Sequence, residues 1–294
     1  ILSKEVNELT PEEKRELVLK GVDIGKEARG SRSLSWCEAA PVDEIKKVIK
    51  TLSPTATIND VFVSCVSYAI VKQLEEHKGT SISKDAASEQ LPKYMNVAIP
   101  VHLRGGVVPP GESMGNKIGA MLAQVPAAYT PPNDSTNTNH NNPSTMLSAT
   151  DRLNMVSKSI SATKRTPAPL LGFLMAKLCS DILPETLSKS IMTHATSNAA
   201  VSISNVRGPS KKLHWNGRTV ESIAGFLPLP PGMPVGVVVQ SYAGVVSLSV
   251  TADKRVVPDA DRFLGWMLKE YTRLCDEANC KKRMMATMEQ QDSK

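Results

Sequence analysis

The feature that most constrains this sequence is a pair of apolar runs, 234–242 and 244–252, separated by a very short turn. The turn is Tyr242-Ala243-Gly244, and both flanking runs are rich in valine and alternate with serine or threonine. Such alternation across a short turn that contains glycine predicts a β-hairpin. The chain must therefore build a β-sheet.

A second alternating run, at 199–206, predicts another strand, which stops at the sequence NVRGP, residues 205–209. Gly208-Pro209 ends the sheet ladder because proline has no amide hydrogen to donate. The strand thus delivers an amide side chain and a guanidinium to its end. This arrangement is typical of a functional group at a sheet edge, and also of an ordinary turn that ends a strand.

Helical patterns are interleaved with these strands. Helices are predicted at about 10–20, 42–52, 57–77, 150–164, 168–181, 184–195 and 258–278, and further strands at 96–103, 117–125 and 213–227. Helices that alternate with strands, followed by a closing hairpin, predict an α/β domain with a mixed β-sheet flanked by helices.

Composition divides the chain into three parts. We predict a helix and an interdomain linker over 1–40, one domain over 41–278, and a polar tail over 279–294. The Asn/Thr/Pro-rich stretch 127–146 has little apolar surface to bury, so it is predicted to be a disordered insertion. Because the sequence begins at Ile1 in polar helical sequence, we expect it to belong to a longer protein.

The composition disfavours several classes of protein. The net charge of +6 suits an anionic partner, but aromatic residues make up only 4% of the chain, too few for the stacking surfaces of nucleic-acid-binding proteins. No apolar run reaches the roughly 20 residues of a membrane-spanning helix. The five cysteines lack CxxC spacing, so we expect reduced thiols, an intracellular location and no metal site.

Familiar catalytic motifs are missing from the sequence. It has no GxSxG elbow, no phosphate-binding GxxxxGK[ST] loop and no GxGxxG fingerprint, and its five histidines lie far apart. His102 and His194 are the better candidates for a buried role, and a structural role is favoured for each. Arg104 follows a predicted strand and precedes two glycines, where an arginine often holds a carboxylate partner.

Asn59-Asp60 stands at the start of the helix predicted over 57–77. In one interpretation Asp60 answers Thr57 in a helix cap and complements the positive end of the helix. In the other, the same helix end points an amide and a carboxylate into a site. Spacing alone favours the cap.

Six short motifs, taken in order, resemble the C-terminal half of bacterial- and plant-type wax ester synthase/diacylglycerol acyltransferases. The motifs are TINDVFVSCVSYAI (57–70), AIPVHLR (98–104), GNKIGAML (115–122), SISNVRGP (202–209), VVVQSYAGVVSLSVTAD (237–253) and PDADRF (258–263). Each is weak alone, whereas six in the right order are specific. The resemblance covers roughly residues 36–276.

The resemblance implies one half of a chloramphenicol-acetyltransferase-like (CoA-dependent acyltransferase) fold, with a channel between two α/β halves. The implied reaction joins the acyl group of acyl-CoA to a long-chain alcohol or diacylglycerol, with acyl-CoA as co-substrate and no other cofactor. The family's catalytic histidine lies in an HHxxxDG motif of the N-terminal half, which is absent here, so no catalytic residue is expected in this chain. The implied partners are that N-terminal half and a peripheral lipid surface, namely the endoplasmic reticulum, the plasma membrane or lipid droplets.

The family's motif positions also imply a set of residues that line or support the channel. They are Asn59, Asp60, Arg104, Gly115, Asn116, Asn205, Gly208 and Pro209. Two positions depart from the family pattern: His102 replaces a small polar residue, and Arg207 replaces a frequent proline. Arg207 is expected to contact a CoA phosphate or to face solvent. The alternative to an enzyme half is a non-catalytic acyltransferase-like interaction module.

Overall fold

The computed structural model describes residues 31–80, 93–102, 118–127, 147–229 and 232–292. Its strands are β1 (Arg32–Pro41), β2 (Tyr94–His102), β3 (Ile118–Pro126), β4 (Val201–Arg207), β5 (His214–Trp215), β6 (Arg218–Thr219), β7 (Val235–Tyr242) and β8 (Val245–Asp253). Its helices are α1 (Val42–Leu52), α2 (Ile58–Thr80), α3 (Ala149–Lys164), α4 (Ala168–Ile182), α5 (Glu185–Ser197) and α6 (Ala260–Asp292).

Six of the strands form one mixed sheet in the order β1-β8-β7-β4-β2-β3. β4 runs parallel to both β2 and β7, and the other pairs are antiparallel. β7 and β8 form the predicted hairpin, and its turn residues Ala243 and Gly244 have φ of 47° and 84°. Two successive positive φ angles give a turn whose twist matches that of the strands. The mixed α/β sheet and its hairpin are therefore confirmed.

One face of the sheet packs on α1, α2, α3 and α6 and forms the core. Because side chains alternate along a strand, residues that stand opposite one another share this face. Val237, for example, lies between Ile203 on β4 and Val250 on β8, and all three are fully buried. Among the helices, Phe62 of α2 stacks on Tyr271 of α6 with 6.0 Å between the ring centroids. This packing fixes the start of α2 against α6.

The second face is covered in part by the segment that follows β6. The hydroxyl of Ser249 donates to the backbone carbonyl of Gly225. Leu227 and Leu229 lie over Gly236, where an added Cβ would stand 2.8 Å from a methyl carbon of Leu229. The glycine lets two apolar side chains approach the centre of the sheet.

A buried ion-pair cluster joins α2, α3 and α6. The Arg152 side chain lies 3.2 Å from the carboxylate of Glu270, to which Arg273 also donates at 2.6 Å. Arg152 also donates to the hydroxyl of Ser67 at 3.1 Å. Burial raises the pKa of the Glu270 carboxyl and lowers that of the Arg152 guanidinium, since desolvation disfavours both charges. The two arginines keep this carboxylate compensated within the core.

The linker predicted over residues 1–40 is wrong for its last part, which is strand β1 at the edge of the sheet. β1 buries serines on its core side and exposes Leu34 and Trp36, which is the reverse of the alternation that predicts a strand packed on a core. The hydroxyl of Ser33 accepts from the backbone N–H of Ala260 at 2.8 Å, and Ser35 donates to the carboxylate of Asp261. These partners lie more than two hundred residues away, beyond the reach of any local pattern.

Two other predictions need correction. The tail predicted over 279–294 is not separate, because α6 continues to Asp292. The strand predicted over 213–227 reduces to the small hairpin β5–β6, whose turn residues Asn216 and Gly217 have φ of 48° and 76°. This Asn-Gly turn interrupts the predicted strand.

Several predictions fall on residues that the structure does not describe. The helix predicted over 10–20 lies outside the described residues, as does the insertion apart from Ala127, which is fully buried. The boundaries of the domain over 41–278 stay predictions. Among the described helices, none is long and apolar enough to cross a membrane.

Candidate active site at the ends of β4 and β7

A cleft of about 380 Å³ opens where the carboxyl ends of β4 and β7 meet α1 and the start of α2. In an α/β sheet, the ends of parallel strands are the usual place for a ligand. The cleft is lined by Val42, Lys46, Ile58, Asn205, Arg207, Val239, Ser241 and Val246. Both polar residues singled out at the end of the strand over 199–206 thus line one cavity with the N-terminal end of α2.

Asn205 and Arg207 reach the cleft because β4 passes from the buried core to the surface along its length. Its first three residues are buried, whereas its last three are exposed. Asn205 stands opposite Val239 and Arg207 opposite Ser241, so the two side chains lie on the same face of the sheet, two residues apart. An amide and a guanidinium are therefore presented side by side.

The Gly208-Pro209 turn is bonded to the neighbouring hairpin. The Gly208 N–H donates to the carbonyl of Ser241, and the Ala243 N–H donates to the carbonyl of Pro209, both at 2.9 Å. A Cβ built on Gly208 would overlap the backbone oxygen of Ser241. Glycine is needed here for close approach, since its φ is not in the positive range. The turn holds the end of β4 against β7.

Lys46 of α1 is the residue that the sequence analysis missed. It lines the main cleft and two adjoining depressions of about 250 and 350 Å³, the second of which also contains Lys50. Its ammonium lies 3.6 Å from the carboxylate of Asp43, and both side chains are well exposed. The start of α1 is fixed by the Val42 N–H, which donates to the carbonyl of Gly244. In the sequence, Lys46 belongs to the polar side of an amphipathic helix, which usually faces only water.

The start of α2 confirms the predicted cap. The Thr57 N–H donates to one carboxylate oxygen of Asp60 at 2.9 Å, and the Asp60 N–H lies 3.4 Å from the Thr57 hydroxyl. This reciprocal pair is a capping box. Within the described residues, the other carboxylate oxygen of Asp60 and the side-chain oxygen of Asn59 are buried without a hydrogen-bond partner. Capping thus uses one carboxylate oxygen of Asp60 and leaves two buried acceptor oxygens unused.

The remaining candidate residues either lie outside the described structure or lack the burial predicted for them. Arg104, Gly115 and Asn116 lie outside the described residues, and so does the side chain of His102. His194 is exposed on α5, so the prediction of a buried role is wrong for it.

The described residues offer neither an activated thiol nor a metal site. Burial raises the pKa of the Cys65 thiol well above its usual value and also raises that of Cys37, so neither thiol ionises readily. No group of three or more His, Cys, Asp or Glu residues within the described ranges is placed to hold a metal ion. The polar side chains that line the cleft, among them Asn205, Arg207 and Lys46, can bind a ligand through hydrogen bonds and charge.

Comparison with known proteins places this chain in a family. The chain is 24% identical over 238 residues to "Probable diacyglycerol O-acyltransferase Tgs4" of Mycobacterium tuberculosis, covering 81% of the chain and 44% of that protein. It is 23% identical over 252 residues to "Wax ester synthase/diacylglycerol acyltransferase 5" of Arabidopsis thaliana, covering 81% and 46%. The chain therefore spans about half the length of the curated relatives it matches.

The fold agrees with these likenesses. The wax ester synthase/diacylglycerol acyltransferase structure from Marinobacter aquaeolei matches with a TM-score of 0.52 at 17% identity, over 84% of this chain and 49% of that one. This likeness confirms the expected half of a chloramphenicol-acetyltransferase-like fold. The family model described as "WS/DGAT C-terminal domain" matches residues 114–274, more than half of the chain. By this match, the chain belongs to the WS/DGAT C-terminal domain family.

Proposed function

We propose that this chain is one half of an acyl-CoA-dependent O-acyltransferase that esterifies a long-chain alcohol or diacylglycerol. One observation carries the proposal: Asn205 and Arg207 share a cleft with the N-terminal end of α2, next to Asn59 and Asp60. The relatives named for wax ester or diacylglycerol acyl transfer support the substrate class.

The reaction takes place where the two halves of the enzyme meet, at this cleft. A histidine of the N-terminal half removes the proton from the acceptor hydroxyl, and the oxygen attacks the thioester carbonyl. Collapse of the tetrahedral intermediate breaks the carbon–sulfur bond, and the proton passes to the departing CoA thiolate. The ester and free CoA are the products. The residues of this chain bind and orient the reactants.

Asn205 is suited to orientation because its amide both donates and accepts hydrogen bonds. It is exposed at the strand end, and backbone hydrogen bonds of the following turn fix the strand without using this amide. The amide is thus available to a ligand. Asn59 and Asp60 each have a buried oxygen without a hydrogen-bond partner among the described residues, at the helix start that borders the cleft.

Arg207 and Lys46 supply the positive charge that the phosphates of CoA require. Both line the main cleft, and Lys50 lines the adjoining depression. Arginine and lysine both bind phosphate, arginine through paired N–H groups and lysine as a point charge. We propose that acyl-CoA lies along this groove with its phosphates towards these side chains. We also propose an intracellular location at a peripheral lipid surface, where water-insoluble acceptors are found.

The test compares the 294-residue chain with the same chain joined to an N-terminal half that carries HHxxxDG. Each is given palmitoyl-CoA with hexadecanol or dipalmitoylglycerol, and released CoA and the ester product are both measured. We expect turnover only from the joined protein. Turnover by the 294-residue chain alone that is lost on replacing His102 or His194 would place the base in this chain and contradict the proposal.

Substitutions in the cleft test its assigned role. Arg207→Ala and Lys46→Ala should each raise the KM for palmitoyl-CoA severalfold with little change in kcat, because each removes a phosphate contact made throughout the reaction. Lys72→Ala is the matched control, since Lys72 is paired with Glu75 on α2 and lines none of these depressions. A folded joined protein without any turnover would favour the interaction module.

A further inference from the structure

The helical hairpin α4–α5 exposes a large aliphatic surface. Eight of its Leu, Ile and Met side chains are between 38% and 69% exposed: Leu170, Leu171, Leu174, Met175, Leu178, Ile182, Leu187 and Ile191. They make up the apolar face of α4–α5. Exposed apolar surface concentrated in this way usually marks an interaction site.

The apolar face points away from the body of the domain. On α4 its members recur at intervals of three or four residues, which places them along one side of the helix. Another side of α4 approaches the edge strand β3: a Cβ built on Gly172 would lie 3.1 Å from the backbone oxygen of Ala120. α4 therefore uses its small residue against the sheet and leaves its large ones outside.

The residue types of the apolar face favour a lipid over a transient protein partner as its occupant. Contact residues that dominate protein–protein binding are enriched in Trp, Tyr and Arg. The apolar face is entirely aliphatic, and α4 carries a single cation, Lys177, and a single anion, Asp181. A helix of 15 residues is about 22 Å long, too short to cross a hydrocarbon core of about 30 Å. Such a helix lies in the plane of a lipid interface.

The charge beside the apolar face favours an anionic surface. The segment 158–182 contains four cations and one anion, a net charge of +3, and all five side chains are exposed. Lys164 and Arg165 stand at the corner between α3 and α4. Half of the +6 of the whole chain is therefore concentrated in 25 residues around this helix. Basic residues next to an apolar helix face attract anionic lipid headgroups.

We propose that the apolar face of α4–α5 docks this protein on an anionic lipid surface. α4 lies in the interface with its aliphatic side chains among the acyl chains, and the cations of the α3–α4 corner contact the headgroups. This assignment rests on the lipid-surface location proposed above but not on acyl transfer, because it predicts lipid binding even without substrates.

Vesicle flotation of the joined protein, which carries both halves, tests the proposal. Phosphatidylcholine vesicles with and without phosphatidylglycerol are compared, and we expect tighter binding to the anionic ones. Leu174→Asp with Met175→Asp should weaken binding to the anionic vesicles about tenfold or more, since charges replace inserted side chains. Trp215→Asp is the control, because Trp215 is 79% exposed on the β5–β6 hairpin and should bind as wild type. Lys164→Glu with Arg165→Glu should remove only the preference for phosphatidylglycerol.

Photo-crosslinking gives a readout that needs no variant. A phosphatidylglycerol with a diazirine in its acyl chain should label peptides within 168–197 of the wild-type protein. Label elsewhere, or wild-type binding by the folded Asp variant, would overturn the proposal. So would dissociation of a dimer, or undocking of the joined N-terminal half, in that variant without lipid, because a protein would then cover the face. Activity assays on the same samples, with soluble short-chain substrates, report separately on the proposed function.

Discussion

The backbone N–H of Gly208 donates to the carbonyl oxygen of Ser241 at 2.9 Å, and this contact leaves no room for a β-carbon on Gly208. The two residues lie at the ends of the parallel strands β4 and β7, next to the cleft. A family motif position thus has a definite physical requirement. The NVRGP turn must lie flat against its neighbour for Asn205 and Arg207 to share one cavity.

Gly208→Val should destabilise the fold and close the cleft. Overpacking at such a contact costs about 1–3 kcal/mol, because the obstacle is backbone and cannot turn aside. Thermal unfolding measures the cost. The matched control is Gly265→Ala in α6, where an added Cβ meets nothing within 4 Å. That change should stabilise the helix by roughly 0.5–1 kcal/mol, and an equal loss at both positions would contradict this explanation.

Asn205→Ala should reduce catalysis much more than stability in the joined, active protein. The Asn205 side chain is exposed, so its removal leaves no buried group unpaired, and the melting temperature should change little. We expect kcat/KM to fall by about tenfold to a hundredfold, the effect of losing one hydrogen bond to a charged group of the reactants. A lower melting temperature with an unchanged rate per folded molecule would mean that residues 205–209 form only a structural turn.

Asp60→Asn separates capping from a further role of this residue. The carboxylate accepts from the Thr57 N–H, and an amide retains that bond but loses the charge at the helix start, which is worth about 0.3–1 kcal/mol. Thr57→Ala, which removes the other half of the capping box, is the control for stability. In the joined protein, we expect Asp60→Asn to lower the rate well beyond Thr57→Ala at equal stability. Equal rates would mean that Asp60 only caps.

Glu270→Ala should be the most destabilising of these changes. It leaves Arg152 and Arg273 without their shared carboxylate, and Arg152 is only 5% exposed. Breaking a buried pair in this way costs about 3–5 kcal/mol. Glu75→Ala removes the exposed partner of Lys72, and its cost should be at most about 1 kcal/mol. Denaturant unfolding at neutral pH compares the two, and a cost near zero for Glu270→Ala would show that the cluster opens to water.

The carboxylate of Asp253 should contribute to acid sensitivity. Arg255 donates to both of its oxygens and holds its pKa below the usual value. Because the folded pKa is the lower one, this contribution is present above the unfolded value of about 3.9 and is lost as the pH falls through the folded pKa. Asp253→Asn should therefore flatten the loss of stability below about pH 4, as measured by denaturant unfolding across pH. An unchanged pH profile would exclude this contribution.

The sequence by itself determined the elements whose signals are local. The hairpin β7–β8 follows from alternation around Ala243-Gly244, and the start of α2 follows from Thr57 and Asp60, three residues apart. The NVRGP motif likewise placed the end of β4. These features need only neighbouring residues, because hydrophobic period, turn chemistry and helix capping act within a few positions.

Tertiary structure decided the rest. β1 looked like a linker because its inward serines meet Ala260 and Asp261, which are 226 or more positions away along the chain. The sequence pattern indicates a solvated lysine at Lys46, whereas the packing of α1 beside the ends of β4 and β7 brings it into the cleft. The contact of Gly172 with β3 decides that the leucines of α4 face outwards. Their spacing in the sequence fits a buried helix equally well. Which side of an element is buried depends on partners distant in sequence, and local patterns carry no record of them.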